Sequence, residues 1–112
     1  MDTAKRKQLR TAYKDQAVIG GVYCITCTGN GRRWIKPSVN LPGHQSRFGF
    51  SIAINACPEP GMLEAWNRYG AQSFTFTVLD QLEKKETQSD AEFWEDIGVL
   101  LAMQLEANGQ DA

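Results

Sequence analysis

The sequence predicts an α+β fold in which helices flank a small, mostly antiparallel sheet of three strands. Two runs rich in β-branched and aromatic residues, 18–27 and 32–36, are separated by a short segment that ends in Asn-Gly, a pattern typical of a β-hairpin. Apolar and polar residues alternate over 73–79, as in a half-buried strand. Apolar residues recur at helical spacing over 90–107, which predicts a long last helix. A hairpin, a later strand and several helices together indicate the α+β class.

The turn of the predicted hairpin contains Asn30 and Gly31. A type I′ turn needs positive φ angles at both central residues, and Asn-Gly is a pair that adopts them readily. We expect Pro37 to end the second strand, because proline has no N–H with which to continue the ladder. Before the hairpin, residues 3–15 are basic and contain neither Gly nor Pro, which predicts a short helix or arm.

Two further helices are predicted in the middle of the chain. Residues 39–46 include a Pro-Gly pair and are interpreted as a loop, and a helix over 47–56 follows, with Ser46 as its cap. A short helix is predicted over 62–69, and Gly70 is well placed to end it.

The core is predicted from the apolar faces of the last strand and the last helix. Ser89 or Asp90 is expected to cap that helix, whose apolar stripe would then face the alternating strand. The side chains that we expect to be largely buried are Phe74, Phe76, Val78, Ile97 and Leu101.

The composition is that of one globular domain. The chain has 112 residues, of which 42% are hydrophobic and 22% charged, and we expect a domain over 18–107, a basic arm over 1–17 and a tail over 108–112. No apolar run approaches the ~20 residues of a membrane span, and the charged N-terminus is unlike a secretory signal. We therefore expect a cytoplasmic protein that has no membrane partner.

The net charge of -1 conceals an asymmetry along the chain. Residues 1–79 contain ten Lys/Arg and four Asp/Glu, whereas residues 80–112 contain two and nine. A basic half can orient a protein toward a polyanion such as DNA. Two ordinary solvated faces would explain the same counts.

Three cysteines and one histidine raise the possibility of a zinc site. Cys24, Cys27, His44 and Cys57 are residue types that bind zinc. Residues three apart on one strand, however, point to opposite faces of a sheet, and free cysteines are often small buried apolar residues. We expect His44, in the predicted loop, to be a surface residue.

Several motifs follow one another along the predicted elements. Gly21-Val22-Tyr23 lies on the first hairpin strand, Trp34-Ile35-Lys36 on the second, and Arg47 at the start of the next helix. The segments 65–70 and 74–80 supply a Tyr-Gly pair and a Phe-x-Phe-x-Val-Leu-acid run. This ordered set resembles that of the GIY-YIG nuclease superfamily over about 18–107.

The resemblance implies a fold and an activity. Members of that superfamily hydrolyse a DNA phosphodiester with a signature tyrosine, an arginine that stabilises the phosphate, and a glutamate on the last helix that holds a divalent metal. Tyr23 and Arg47 match the tyrosine and the arginine, and arginine suits that place because its fork matches phosphate oxygens. Magnesium or another divalent cation is the cofactor that an active member would use.

Three positions depart from the family pattern. Trp34 stands at the second tyrosine and has no hydroxyl, and Lys36 stands at the second glycine. Leu101 stands at the metal-binding glutamate when the last helices are aligned. The predicted catalytic set is therefore Tyr23, Arg47 and Trp34, without a metal ligand.

Three functions remain open. The first is a nuclease-like domain that has lost catalysis and binds nucleic acid or another protein subunit, with Arg32, Arg33 and Lys36 as nucleic-acid contacts. The second is an active, metal-dependent DNA endonuclease. The third is a small zinc-binding interaction module. No cofactor is assigned in the first case.

Overall fold

The strands form one antiparallel sheet in a computed structural model that describes residues 17–108. The strands are β1 (Ile19–Cys27), β2 (Arg33–Ser38) and β3 (Phe74–Glu83), in the spatial order β2-β1-β3. The central strand β1 is therefore paired on both sides, and β2 and β3 are the edges. The helix or arm predicted over 3–15 and most of the predicted tail over 108–112 lie outside the described residues.

Three helices complete the described part of the chain. They are α1 (Leu41–Ile54), α2 (Leu63–Tyr69) and α3 (Asp90–Ala107), with single 3-10 turns at Pro60–Met62 and Ala71–Ser73. The α+β prediction with a three-stranded antiparallel sheet is confirmed. Within residues 17–108, none of the helices has the length and hydrophobicity needed to cross a membrane.

Successive side chains of β1 point to opposite faces of the sheet, and helices cover both faces. One face carries Tyr23 and Ile25, which pack with residues of α1 and α2 such as Leu41 and Trp66. The other face carries a smaller cluster that leucines of α3 cover; its members are Val22, Cys24, Ile35, Leu100, Leu101 and Leu105.

The expectation that the alternating face of β3 meets the last helix is wrong. Phe74 and Phe76 belong to the cluster under α1 and α2, whereas Leu79 is the residue of β3 that packs toward α3. Ile97 is fully buried, Leu101 is half-buried, and Val78 is 39% exposed. The alternation of apolar and polar residues identifies the side chains that share one face of a strand. It does not identify which helix packs on that face when helices cover both faces of the sheet.

The hairpin turn differs from the type I′ turn that Asn-Gly predicts. The Cys27 N–H donates to the Arg32 carbonyl at 2.9 Å, and the Gly31 N–H donates to the Cys27 carbonyl at 2.8 Å. The loop is therefore four residues long. Gly31 has a φ of +75°, but Asn30 does not have a positive φ; a loop of four residues is more often built around a type I turn.

The predictions made from proline positions for the end of β2 and the start of α1 are wrong. Pro37 lies inside β2, paired with Val22, which an edge strand tolerates because half of its N–H groups face away from the sheet. Asn40 caps α1, since its Oδ1 accepts a hydrogen bond from the Gly43 N–H at 3.1 Å. The Pro-Gly pair that predicted a loop lies in the first helical turn, where proline is tolerated. Arg47 is consequently in the middle of α1 and not at its start.

The ends of the other helices agree closely with the sequence. Gly70 follows α2 with a φ of +87° and donates its N–H to Trp66. Ser89 caps α3 in a reciprocal capping box with Glu92. Such boxes satisfy two helix-end donors at once, so the beginning of α3 is encoded locally.

Two glycines provide a matched test of the packing. A Cβ at Gly20 would lie 2.7 Å from atoms of Ile97, Phe93 and Ser38, whereas a Cβ at Gly98 would meet nothing within 4 Å. We expect Gly20→Ala to lower the free energy of unfolding by about 1–3 kcal/mol through overpacking. Gly98→Ala, in an exposed helix interior, should raise it by about 0.5–1 kcal/mol. Denaturant unfolding measures both, and equal effects would contradict this packing.

Candidate functional site

An open cleft of about 420 Å³ lies between α1, the segment that follows it and the sheet face under them. Its polar lining consists mainly of Tyr23, His44, Arg47 and Glu59. These four side chains come from β1, from α1 and from the connection between α1 and α2. The chain thus brings a phenol, an imidazole, a guanidinium and a carboxylate together from three separate segments.

Tyr23 forms the floor of the cleft. Its side chain is 4% exposed, and its ring stacks on Phe76 at 4.8 Å and on His44 at 5.2 Å between centroids. Burial, reinforced by the nearby Glu59 carboxylate and opposed by the Arg47 charge, raises the pKa of Tyr23 to about 12. At neutral pH the hydroxyl therefore keeps its proton and acts as a hydrogen-bond donor.

His44 is fixed by the residues that start α1. Its Nδ1 lies 2.5 Å from the hydroxyl of the buried Ser38 and 3.2 Å from the Asn40 carbonyl. In the ring tautomer that donates from Nδ1 to this carbonyl, Nε2 is left as an acceptor. The prediction of a surface histidine in a loop is wrong, because residue 44 lies on α1 and its ring stacks on Tyr23.

Arg47 lies one helical turn after His44, on the same face of α1. It is exposed, and its Nε donates to the Gly43 carbonyl at 3.4 Å. Within residues 17–108, no carboxylate lies within 4 Å of its guanidinium. The guanidinium therefore has N–H groups to offer to a ligand in the cleft.

Glu59 lines the cleft, and Lys36 lies next to the cleft as the partner of Glu59. The Glu59 carboxylate lies beside the Tyr23 hydroxyl and 3.8 Å from the Lys36 Nζ. Lys36 is opposite Tyr23 in the β1–β2 register, so it lies on the same face. Glu59 was not found by sequence reasoning, because nothing in the connection over 57–61 indicates that it folds back on β1.

The other residues predicted as catalytic or nucleic-acid contacts do not line the cleft. Trp34 is buried in the core, where it stacks on Phe74 at 6.0 Å, and it does not line the cleft. The Arg32 guanidinium lies 5.0 Å above the Trp34 ring. Arg33 points to the opposite face and donates to the Asn108 side chain at 3.1 Å. Of the three predicted basic contacts, only Lys36 lies beside the cleft residues.

Leu101 lies across the sheet from Tyr23. It packs against the cluster of Val22 and Cys24, whereas Tyr23 belongs to the cluster on the other face. Residue 101 therefore cannot contribute to a site that contains Tyr23. The leucine at this position does not decide whether the cleft holds a metal.

The cleft offers few protein ligands for a divalent metal. In the part of the chain that the structure describes, no three His, Cys, Asp or Glu side chains are grouped so that they could hold an ion. Glu59 is the one carboxylate that lines the cleft there, and it already has a lysine as its counter-ion. Cys24 and Cys27 belong to clusters on opposite faces, as their spacing predicts, so they do not form a zinc pair.

The motif residues occupy the elements that the resemblance implies. Gly21–Tyr23 and Trp34–Lys36 lie on paired antiparallel strands, and Arg47 lies on the helix that follows. The remaining motifs span α2 with Gly70 and the first part of β3. This arrangement is consistent with a GIY-YIG-like α+β fold.

Comparison with known proteins adds one similar structure. No protein-family model and no curated protein matches the chain. The chain is similar to the catalytic domain of homing endonuclease I-TevI, with a TM-score of 0.49 and 12% sequence identity over 79% of this chain and 86% of that one. At this identity no residue role is transferred between the two chains.

The environment of Tyr23 can be tested by titration. We expect its pKa to be about 12, well above the ordinary value near 10. Glu59→Gln should lower this pKa, because it removes a neighbouring negative charge that disfavours tyrosinate. Tyrosinate absorbance measures the change, and subtraction of the Tyr23→Phe curve isolates this residue. A Tyr23 pKa that does not change in Glu59→Gln would contradict the contact.

Proposed function

We propose that the cleft binds the phosphodiester backbone of nucleic acid and supports little or no cleavage of it. The observation that carries this proposal is that Arg47 and Tyr23 line one open cleft, with the Lys36 ammonium beside it, 3.8 Å from the cleft residue Glu59. Two cations and one carboxylate, Glu59, give this group a net charge of about +1, which suits the single negative charge of a phosphodiester. Cationic side chains also favour nucleic acid over a protein subunit as the partner.

Each of the three groups offers a different contact to phosphate. Arg47 has a planar fork of N–H donors that matches two phosphate oxygens. Lys36 contributes a point charge, and Tyr23 contributes a neutral O–H donor because its pKa is about 12. A phosphate that binds here would compete with Glu59 for Lys36, whose ion pair is long at 3.8 Å and partly exposed. Such pairs are weak, so the exchange costs little.

Hydrolysis needs more than this cleft supplies. An attacking water must lose a proton, and charge that develops on the phosphate and on the leaving oxygen must be stabilised. Tyr23 keeps its own proton at neutral pH, so it is a poor base. Trp34 brings no second hydroxyl, and Glu59 is the one carboxylate of the described lining that could help to hold a metal ion, which in phosphodiesterases supplies several kcal/mol of charge stabilisation.

One observation favours the alternative of an active phosphodiester hydrolase. The His44 ring stacks on Tyr23, with Nε2 as an acceptor in one of its two tautomers, and Glu59 presents a carboxylate there. Either group is a proton acceptor of the kind used in general base catalysis. The two functions therefore share one cleft and differ in whether these acceptors reach a water aligned with the phosphorus.

Binding is tested with fluorescence anisotropy of a labelled DNA oligonucleotide. We expect Arg47→Gln and Lys36→Gln each to weaken binding about tenfold, as for the loss of a charged hydrogen bond. Arg33→Gln is the matched control, because it removes the same charge from the opposite face of the sheet. An equal loss in all three variants would show attraction to net charge only and would contradict a specific cleft.

Cleavage is tested by nicking of supercoiled plasmid in the presence of magnesium. We expect negligible nicking by the natural protein, because each 1.36 kcal/mol of missing transition-state stabilisation lowers the rate about tenfold. Magnesium-dependent nicking that Arg47→Gln or Glu59→Gln abolishes would establish the active enzyme instead. Nicking that survives in both variants would point to a contaminating nuclease.

A further inference from the structure

We propose that a second groove, formed by the hairpin turn and α2, binds a further phosphate of the same nucleic-acid strand. We call it the hairpin groove; its polar lining is Asn30, Arg32, Glu64, Arg68 and Tyr69. Its volume is about 130 Å³. This inference rests on the proposed function and extends it from a single phosphate site to a track along one edge of the sheet.

Among the described residues, the two arginines of the hairpin groove have no acidic partner. Within residues 17–108, no carboxylate lies within 4 Å of either Arg32 or Arg68, although Glu64 also lines the groove. Two guanidinium groups and one carboxylate give the groove a net charge of about +1, as in the cleft. Uncompensated arginines that converge on a concave surface are suited to an anion.

Aromatic rings hold both guanidinium groups in place. Arg32 lies 5.0 Å from the centroid of Trp34, and Arg68 lies 5.7 Å from that of Tyr69. Stacking on a ring restricts the side chain and leaves the in-plane N–H donors directed outward. A preorganised donor loses less conformational entropy when it binds. This contact also gives Trp34, which does not line the cleft, a role in positioning Arg32.

The hairpin groove and the cleft lie on the same face of the sheet. Arg32, Trp34 and Lys36 alternate along the hairpin, so their side chains share one face, and Arg33 lies on the other. Lys36 follows Arg32 by four steps of extended chain, a distance of about 13 Å. Backbone phosphates advance about 3.4 Å per nucleotide along a helical strand. A strand that follows β2 would therefore reach both grooves within roughly four nucleotides.

The position of β2 leaves room for a nucleic-acid strand beside it. β2 is an edge of the sheet, so within the described residues β1 pairs with one side of it and no strand pairs with the other side. The short connection after α1 separates the two grooves, with Glu59 on the cleft side and Gly61 on the hairpin-groove side. The contacts on this path are to backbone phosphates, which fix position without reading sequence.

The test compares labelled single-stranded DNA of three and of nine nucleotides, bound to the full chain in a salt titration. In the double variant Arg32→Gln/Arg68→Gln, we expect the affinity for the nine-nucleotide probe to fall at least about tenfold. Binding of the three-nucleotide probe should not change, because it fits in the cleft alone. The slope of log affinity against log salt for the longer probe should become shallower by roughly 0.7 for each lost phosphate contact.

Two variants keep this result interpretable. Arg33→Gln removes an equal charge from the opposite face and should leave both probes unaffected. Arg68→Gln alone leaves Trp34 covered by Arg32, so it reports on the groove even if the double variant fails to fold. Thermal unfolding followed by circular dichroism identifies any variant that is not folded.

The outcomes separate the two proposals. If Arg47→Gln weakens binding of both probes while Arg68→Gln and the double variant bind as the natural protein does, the hairpin groove is overturned and the cleft stands. If Arg33→Gln weakens binding as much as the groove variants, the groove is overturned in favour of general charge attraction. If the natural protein binds neither probe, both the cleft and the groove are overturned.

Discussion

The central strand β1 sets the position of nearly every functional side chain. Of the strands in residues 17–108, it is the one paired on both edges and packed on both faces, so a shift by one residue would exchange Tyr23 with Val22. Gly21 has a φ of +146°, and a Cβ there would collide with the Asp80 carbonyl of β3. The irregular pairing of β1 with β3 lies between Val22 and Tyr23, where Leu79 of β3 is passed over. The glycine of the Gly-Val-Tyr motif is therefore a backbone requirement for the close approach of β1 to β3 next to Tyr23.

The start of α1 is the second constraint, and it links the fold to the site through one capping network. The Asn40 side chain caps the helix, and the Asn40 N–H donates to the Ser38 hydroxyl at 3.0 Å. That hydroxyl also contacts His44, so the same few atoms end β2, begin α1 and orient the imidazole on Tyr23. Arg47 follows one turn later. A change at Ser38 would thus alter both helix capping and the cleft, although Ser38 itself does not line it.

Local signals predicted the elements that depend on local chemistry. The capping box at Ser89 and the glycine after α2 place those ends correctly, because the hydrogen bonds involved lie within a few residues. The site was predictable only in part: Tyr23, Arg47 and Lys36 follow from motif spacing, whereas His44 and Glu59 do not. The place of His44 in the cleft was not predicted, because a Pro-Gly pair is typical of loops and also occurs in the first turn of a helix. Glu59 was missed because its approach to Tyr23 depends on how α1 and the next connection pack, which is a tertiary effect that no local pattern records.

Binding and base catalysis oppose one another at Tyr23. The burial that orients its hydroxyl also raises its pKa to about 12, and a phosphate bound beside it would raise that pKa further, because a second negative charge disfavours tyrosinate. The better the cleft holds a phosphodiester, the less Tyr23 can accept a proton from water. Arg47 acts in the opposite direction, but in the proposed complex its charge is directed to the phosphate itself and is largely neutralised. Under the proposed function, Tyr23 therefore serves as a donor to phosphate, and proton transfer would have to pass through His44 or Glu59.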